Sequence, residues 1–110
     1  MIIDTKGNTT IITRERASVV DMVQRMTKQY DSFSHNNIIV NLFSIEGLTN
    51  NDLNEFLLLS RKHRAAKHSF VIVASKIDYT TVSDDLVVVP TAQEAHDLVE
   101  MDEIERDLGF

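Results

Sequence analysis

The chain of 110 residues has no cysteine, one proline and three glycines. Without cysteine there is no disulfide framework, no thiol chemistry and no cysteine metal site, so we expect a reducing, cytoplasmic compartment. So few prolines and glycines do not indicate a boundary between two domains, and the sequence contains no linker or repeat. We therefore predict a single domain over residues 1–110.

Long apolar segments are also missing from the sequence. The runs at residues 56–59 and 86–89 span four residues each, whereas a membrane-spanning helix needs about 20. Residues 1–4 contain neither a basic region nor an apolar stretch of the kind that directs export. These absences predict a cytoplasmic protein that has no membrane partner.

The excess negative charge lies at one end of the chain. The formal net charge is −6, and residues 1–93 hold ten acids and ten bases. Residues 94–110 hold seven acids against Arg106 alone. This end repels phosphate backbones and so argues against nucleic acid as a partner. It is either an ordinary solvated helix face or a docking surface for a basic partner.

The sequence contains no pattern typical of a catalytic or metal site. His63 and His68 lie five residues apart, so they would not share a helical face, and we interpret them as surface residues near a helix end. There is no Gly-x-Ser-x-Gly elbow and no glycine-rich phosphate loop. We predict that the protein is not an enzyme and has no catalytic residue, no metal and no cofactor.

Alternating strand and helix patterns predict an α/β fold. Lys6-Gly7-Asn8 is a turn signal between two short segments and predicts an N-terminal β-hairpin. Apolar segments at 38–43, 70–74 and 86–89 are typical of parallel strands buried on both faces. Helical patterns start after the cap candidates at Ser18, at residues 49–52 and at Thr91.

The predicted order of elements is β-β-α-β-α-β-(loop)-β-α. It combines the hairpin with a mixed or parallel central sheet of about four to five strands and three main helices. The first helix shows the clearest periodicity, because its apolar residues fall at offsets 0, 4, 7, 11 and 14: Val19, Val23, Met26, Tyr30 and Phe33.

Residues 38–60 resemble the core of a known family. Ile38-Ile39-Val40-Asn41-Leu42 matches an apolar strand, and residues 53–59 match a leucine-rich helix. Together they resemble the STAS domain, which occurs in bacterial anti-sigma factor antagonists and in the tails of sulfate transporters. The resemblance implies a single STAS-like domain over residues 1–110 that regulates a protein partner by direct contact.

The resemblance also places a recognition edge at the start of the leucine-rich helix. The Asp-Ser-Ser-Gly motif of the family falls on Thr49-Asn50-Asn51-Asp52, so the serine phosphorylated in antagonist proteins corresponds to Asn51. Asparagine has no hydroxyl to accept phosphate, which implies a module without the usual phospho-switch. The expected partner-binding residues are Glu46, Thr49, Asn50, Asn51, Asp52 and Leu58.

Two apolar features leave alternatives open. Leu57-Leu58-Leu59 makes its helix apolar over more than the stripe of about 100° that one core contact needs, so this helix is either buried on both sides or part of an interface. The tail either docks on its own domain as a second short helix or offers an apolar stripe to another protein. Either feature would also support a homodimer. The tail residues concerned are Met101, Ile104, Leu108 and Phe110.

Small chains of this appearance also carry the label ribonuclease Z, the enzyme that processes the 3′ end of transfer RNA. Such enzymes resemble metallo-β-lactamases and hold two zinc ions with a His-x-His-x-Asp-His cluster. This sequence lacks that cluster. The alternative function is therefore a protein that is associated with ribonuclease Z but does not carry its metal site.

Overall fold

The computed structural model describes residues 1–43 and 45–109. Its elements, in chain order, are β1 (Ile2–Lys6), β2 (Thr9–Thr13), α1 (Val19–Phe33), β3 (Asn37–Asn41), α2 (Asn50–Asn54), α3 (Leu57–Ala65), β4 (Phe70–Val73), β5 (Val87–Val89) and α4 (Ala92–Asp107). A short 3-10 helix, Tyr79–Thr81, lies in the loop before β5. This order confirms the predicted α/β fold and its N-terminal hairpin.

The five strands form one mixed sheet in the order β1-β2-β3-β4-β5. β1 and β2 are antiparallel, because the turn at Gly7 (φ +60°) is too short for a crossover. The other neighbours are parallel, with Ile38 opposite Phe70 and Val71 opposite Val87. The chain therefore crosses over between successive strands, as the alternating pattern predicted.

Helices cover both faces of the sheet. Residues of α1, α2 and α3 form the larger core with one face, in which Met22, Met26 and Phe56 are fully buried. On the other face, Ala95 and Val99 of α4 pack against a smaller apolar cluster. Because β3 and β4 are buried on both faces, they carry the nearly continuous apolar runs from which they were predicted.

The leucine-rich helix is divided into two helices at Glu55 and Phe56. The N–H of Glu55 donates to the carbonyl of Asp52 (3.2 Å), and that of Phe56 donates to Leu53 (3.0 Å). These bonds span three residues, so they tighten the turn and interrupt the α-helical ladder. The interruption places Phe56 in the core, where the side chain is fully buried.

Polar side chains attach the C-terminal half of α4 to the amino ends of β3 and β4. Asn37 is buried, and its Oδ1 accepts from the N–H of Ser69 (2.9 Å) and from Arg106 Nη2 (3.1 Å). Ser69 Oγ donates to Asp102 Oδ2 (2.7 Å), and Asn37 also donates to Glu103. The side of α4 that carries Arg106 therefore faces the sheet.

α4 is one continuous helix, so the tail does not form the second short helix considered as one alternative. Met101, Ile104 and Leu108 are all exposed. The prediction for Phe110 lies outside the described residues. Within the ranges that the structure describes, no helix is both long and apolar enough to cross a membrane.

Candidate functional site

The predicted recognition edge lies where the chain leaves β3. In parallel α/β sheets the loops beyond the carboxyl ends of strands commonly carry binding sites. Here Asn41 Oδ1 accepts from the N–H of Phe43 (3.0 Å), and Ile45 N–H donates to the carbonyl of Leu42 (3.1 Å). Gly47 takes a φ of +69°, which a residue without a Cβ adopts readily.

Thr49 and Asp52 form a capping box at the start of α2. The Thr49 hydroxyl accepts from the N–H of Asp52 (3.2 Å), and the Asp52 carboxylate accepts from the N–H of Thr49 (3.0 Å). Two N–H groups at this helix end are thereby satisfied. Both residues were predicted to bind a partner, and in the structure their hydrogen bonds hold the edge in one conformation.

Asn50 connects the edge to a segment that the sequence did not indicate. Its amide donates to the hydroxyl of Thr81, which lies in the short 3-10 helix Tyr79–Thr81. That helix is itself capped by Asp78, and hydrogen bonds from the hydroxyl and N–H of Thr80 lower the pKa of the Asp78 carboxyl. Asp78 followed by Thr80 is a local turn signal, but nothing in the sequence pairs it with Asn50.

Glu46 and Asn51 project from this fixed frame and are exposed. Asn51 lies in the first turn of α2, where its carboxamide can both donate and accept hydrogen bonds. The structure therefore divides the predicted edge into a supporting group (Thr49, Asn50 and Asp52) and an exposed pair.

Leu58 is 79% exposed, although Leu59 beside it is buried. It lies at a groove of about 270 Å³ that is lined from α1 by Val23, Thr27 and Tyr30. Lys62 closes one side, with Nζ 4.4 Å from the centroid of the Tyr30 ring. Of the two alternatives for the leucine triplet, burial on both sides does not hold at Leu58.

The interpretation of His63 as a surface residue is wrong. The side chain is fully buried between α1 and the sheet, and it bonds to the hydroxyl of Tyr30 and the carbonyl of Asn36 (2.7 Å each). Burial lowers the pKa of His63 to about 4. His68 stacks on it with ring centroids 5.2 Å apart. In residues 1–43 and 45–109, no group of three or more His, Asp or Glu side chains is arranged to hold a metal ion.

Comparisons with known proteins do not assign the chain to a family. No protein-family model matches the sequence, and no curated protein matches it significantly.

Proposed function

We propose that this chain is a STAS-like regulatory module that acts in the cytoplasm by binding another protein. The proposed contact surface consists of Glu46 and Asn51, which are exposed next to the capping box of α2, and of Leu58, which is exposed on α3. The observation that carries the proposal is the capping box of Thr49 and Asp52, because it orders the edge before any partner arrives. An ordered surface loses little conformational freedom on binding.

The chemistry of this edge suits recognition better than catalysis. Asn51 offers a carboxamide and Leu58 an apolar side chain, and neither is a nucleophile or a general base. Glu46 carries a carboxylate, but in the described part of the chain no hydroxyl is hydrogen-bonded to it that it could activate. The Thr49 hydroxyl accepts from the backbone of its own helix. A catalytic site would pair a nucleophile with a base within hydrogen-bond reach. We therefore assign the edge no reaction.

Asn51 gives the proposed module a constant mode of binding. Phosphorylation would add up to two negative charges at the start of α2 and change what the edge can contact. A carboxamide cannot accept a phosphoryl group, so this position offers one surface under all conditions. Regulation then depends on the concentration or state of the partner.

Affinity copurification from the native host tests the proposal directly. Tagged wild type is compared with Asn51→Lys and Leu58→Asp, and the recovered proteins are quantified by mass spectrometry. We expect at least one protein to be lost with both variants, because a lysine or a carboxylate at the contact is incompatible with a partner shaped to an amide and a leucine.

Val20→Asp is the matched control, since Val20 is also an exposed apolar residue on a helix. It should retain the partners that the two edge variants lose. If Asn51→Lys and Leu58→Asp both keep every native partner, the proposed edge is wrong.

The same material separates this role from one linked to ribonuclease Z. Purified chain is incubated with precursor transfer RNA and zinc or manganese, and we expect no turnover. Sustained cleavage by the chain alone would contradict a non-enzymatic role.

Sedimentation at micromolar concentration tests whether the chain forms a homodimer. Dimerisation that Leu58→Asp abolishes would make a second copy the partner at this edge.

A further inference from the structure

The outer face of α4 carries a stripe of three large apolar side chains. Met101, Ile104 and Leu108 are 56%, 58% and 66% exposed. Each residue turns an α-helix by about 100°, so residues at offsets 0, 3 and 7 lie within about 60° of one another. Scattered exposed apolar residues are ordinary, whereas a contiguous row along a helix marks a contact surface.

The stripe lies on the side of α4 opposite to the sheet. Ala95 and Val99, which pack on the sheet, are turned about 180° away from it by helical geometry. Arg106 also faces inward, where it bonds to Asn37 and Ser69. Arg106, the single Lys or Arg among residues 94–110, is therefore turned away from the stripe.

Carboxylates lie on both sides of the stripe. By helical position, Glu100 and Asp107 lie along one side of the stripe and Glu105 lies along the other. Asp97 lies in line with the stripe, one turn before Met101. All four are exposed. The apolar row is thus framed by negative charge, and this arrangement is complementary to a helix with an apolar row framed by Lys and Arg.

A groove lies beside the stripe, so this surface of the protein is concave. It has a volume of about 620 Å³ and lies between α4 and the β1–β2 hairpin. Ile104 lines it together with Glu100, Glu103 and Asp107, and the described part of its border also includes Lys6 and His96. The groove is therefore acidic as well, and it can accept a long basic side chain next to the apolar row.

We propose that the outer face of α4 binds a basic amphipathic helix of a partner protein. A second copy of this chain that docks through its own α4 would bring like charges together along the whole row, which costs free energy. Anionic lipid and nucleic acid are repelled for the same reason. This surface goes beyond the proposed function, because it shares no residue with the edge at Glu46, Asn51 and Leu58.

The test uses the full chain and an 18-residue amphipathic helical peptide made only of Leu and Lys. Two matched peptides separate the contributions of charge and of apolar contact to binding: in one Glu replaces Lys, and in the other Ser replaces Leu. We expect the Leu/Lys peptide alone to bind, and amide chemical shifts to change mainly in residues 97–108. Because surface charges are screened, raising the salt from 50 to 500 mM should weaken binding several-fold.

Substitutions on the stripe supply the second measurement. Met101→Ser with Ile104→Ser should weaken binding of the Leu/Lys peptide at least tenfold, because both side chains leave the centre of the contact. Both residues are exposed, so the fold should be kept, which circular dichroism checks. Val20→Ser is the control and should bind the peptide as wild type does.

Three results of the peptide experiments would overturn the proposal. The first is equal binding of the Leu/Lys peptide and of the peptide in which Ser replaces Leu. The second is an unchanged affinity of the Met101→Ser, Ile104→Ser double variant for the Leu/Lys peptide. The third is a set of amide chemical-shift changes concentrated outside residues 97–108. Self-association through this face, abolished by Ile104→Ser, would replace the basic helix by a second copy and would also overturn it. Asn51→Lys and Leu58→Asp should leave peptide binding intact, so failure here is distinguishable from failure of the proposed function.

Discussion

The hydroxyl of Tyr30 lies 2.7 Å from Nδ1 of His63 and joins α1 to α3 inside the core. On the other side of the ring, Nε2 lies 2.7 Å from the carbonyl oxygen of Asn36. A carbonyl can only accept, so Nε2 carries the proton and Nδ1 accepts from Tyr30. Both ring nitrogens of the neutral imidazole are therefore satisfied without water.

The neutral state of His63 predicts a loss of stability in mild acid. Burial lowers its pKa to about 4 in the folded chain, whereas the unfolded chain keeps a value near 6.5. Between these values only the unfolded chain takes up a proton, so the free energy of unfolding falls as the pH falls from 6.5 to 4. The contribution reaches about 3 kcal/mol, because a tenfold change in proton affinity is about 1.4 kcal/mol.

Urea denaturation at a series of pH values measures this slope. His63→Gln should show a flatter dependence between pH 6.5 and 4, and Asn54→Ala, a substitution at an exposed position that does not titrate, should keep the wild-type slope. A nitrogen chemical-shift titration of the wild type gives the pKa directly, even if His63→Gln folds poorly. Protonation of His63 in the folded chain near pH 6.5 would contradict the prediction.

Tyr30→Phe should destabilise the fold by about 1–3 kcal/mol, because the buried Nδ1 of His63 is left without a donor. The ring remains, so packing in the larger core changes little. Chemical denaturation at pH 7.5 measures the loss. Tyr79→Phe is the comparison, because it also removes one hydroxyl, which donates to the carbonyl of Ala74 from a residue that is 42% exposed. Equal stability of Tyr30→Phe and wild type would show that the hydrogen bond contributes nothing net.

Asn37→Ala should cost about 3 kcal/mol, since it leaves the N–H of Ser69 and the guanidinium of Arg106 without their common acceptor. The amide exchange of α4 should rise toward its C-terminal end, where this contact holds the helix to the sheet. Asn54→Ala is an exposed control and should change stability by less than about 0.5 kcal/mol. A loss no larger than that of the control would mean that α4 is held by apolar contacts alone.

Thr49→Ala should lower stability by about 1 kcal/mol, because the N–H of Asp52 loses its cap. Thr49→Ser keeps the hydroxyl and should recover most of that loss. Hydrogen exchange at Asp52 and Leu53 reports on the order of the α2 start. Under the proposed function, Thr49→Ala also captures less partner than Thr49→Ser. Indistinguishable exchange in the two variants would show that the capping box does not order this edge.

Leu58→Ser should leave stability within about 0.5 kcal/mol of wild type, whereas Leu59→Ala should cost about 2–4 kcal/mol. The difference follows from exposure, since Leu58 is 79% exposed and Leu59 is 6% exposed. Thermal and chemical denaturation of the two variants provide the comparison. A large loss with Leu58→Ser would place its contribution in the fold and remove the reason to assign it to a partner.

Local patterns predicted the elements that depend on local physics. The apolar offsets of α1 identified most of its buried face: Val19, Met26, Tyr30 and Phe33 are buried, whereas Val23 is half-buried and Met22, which was not in the predicted set, is buried in its place. Apolar runs located β3 and β4, because strands covered on both faces exclude polar residues from their interior. The boundaries were less accurate: the third strand begins one residue earlier than predicted, at Asn37, whose polar side chain is satisfied by residues 32 and 69 positions away.

The candidate site was only partly visible in the sequence. Its position after β3 and the absence of a hydroxyl at Asn51 could be read from residues 38–52. The hydrogen bond from Asn50 to Thr81 could not, because it joins segments 31 residues apart. The resemblance named Leu58 as a partner-binding residue, but the exposure of its side chain beside the buried Leu59 follows from the interruption of the helix at Glu55 and Phe56.

The sequence by itself determined the α/β order of strands and helices, the position of the negative charge and the lack of cysteine chemistry. These properties depend on composition and on periods of two and 3.6 residues, which are local. Only the tertiary structure decided that His63 is buried and neutral, that Leu58 is exposed and that Arg106 faces the sheet. Each of these depends on partners distant in the chain, and a side chain becomes buried only when the fold brings those partners to it.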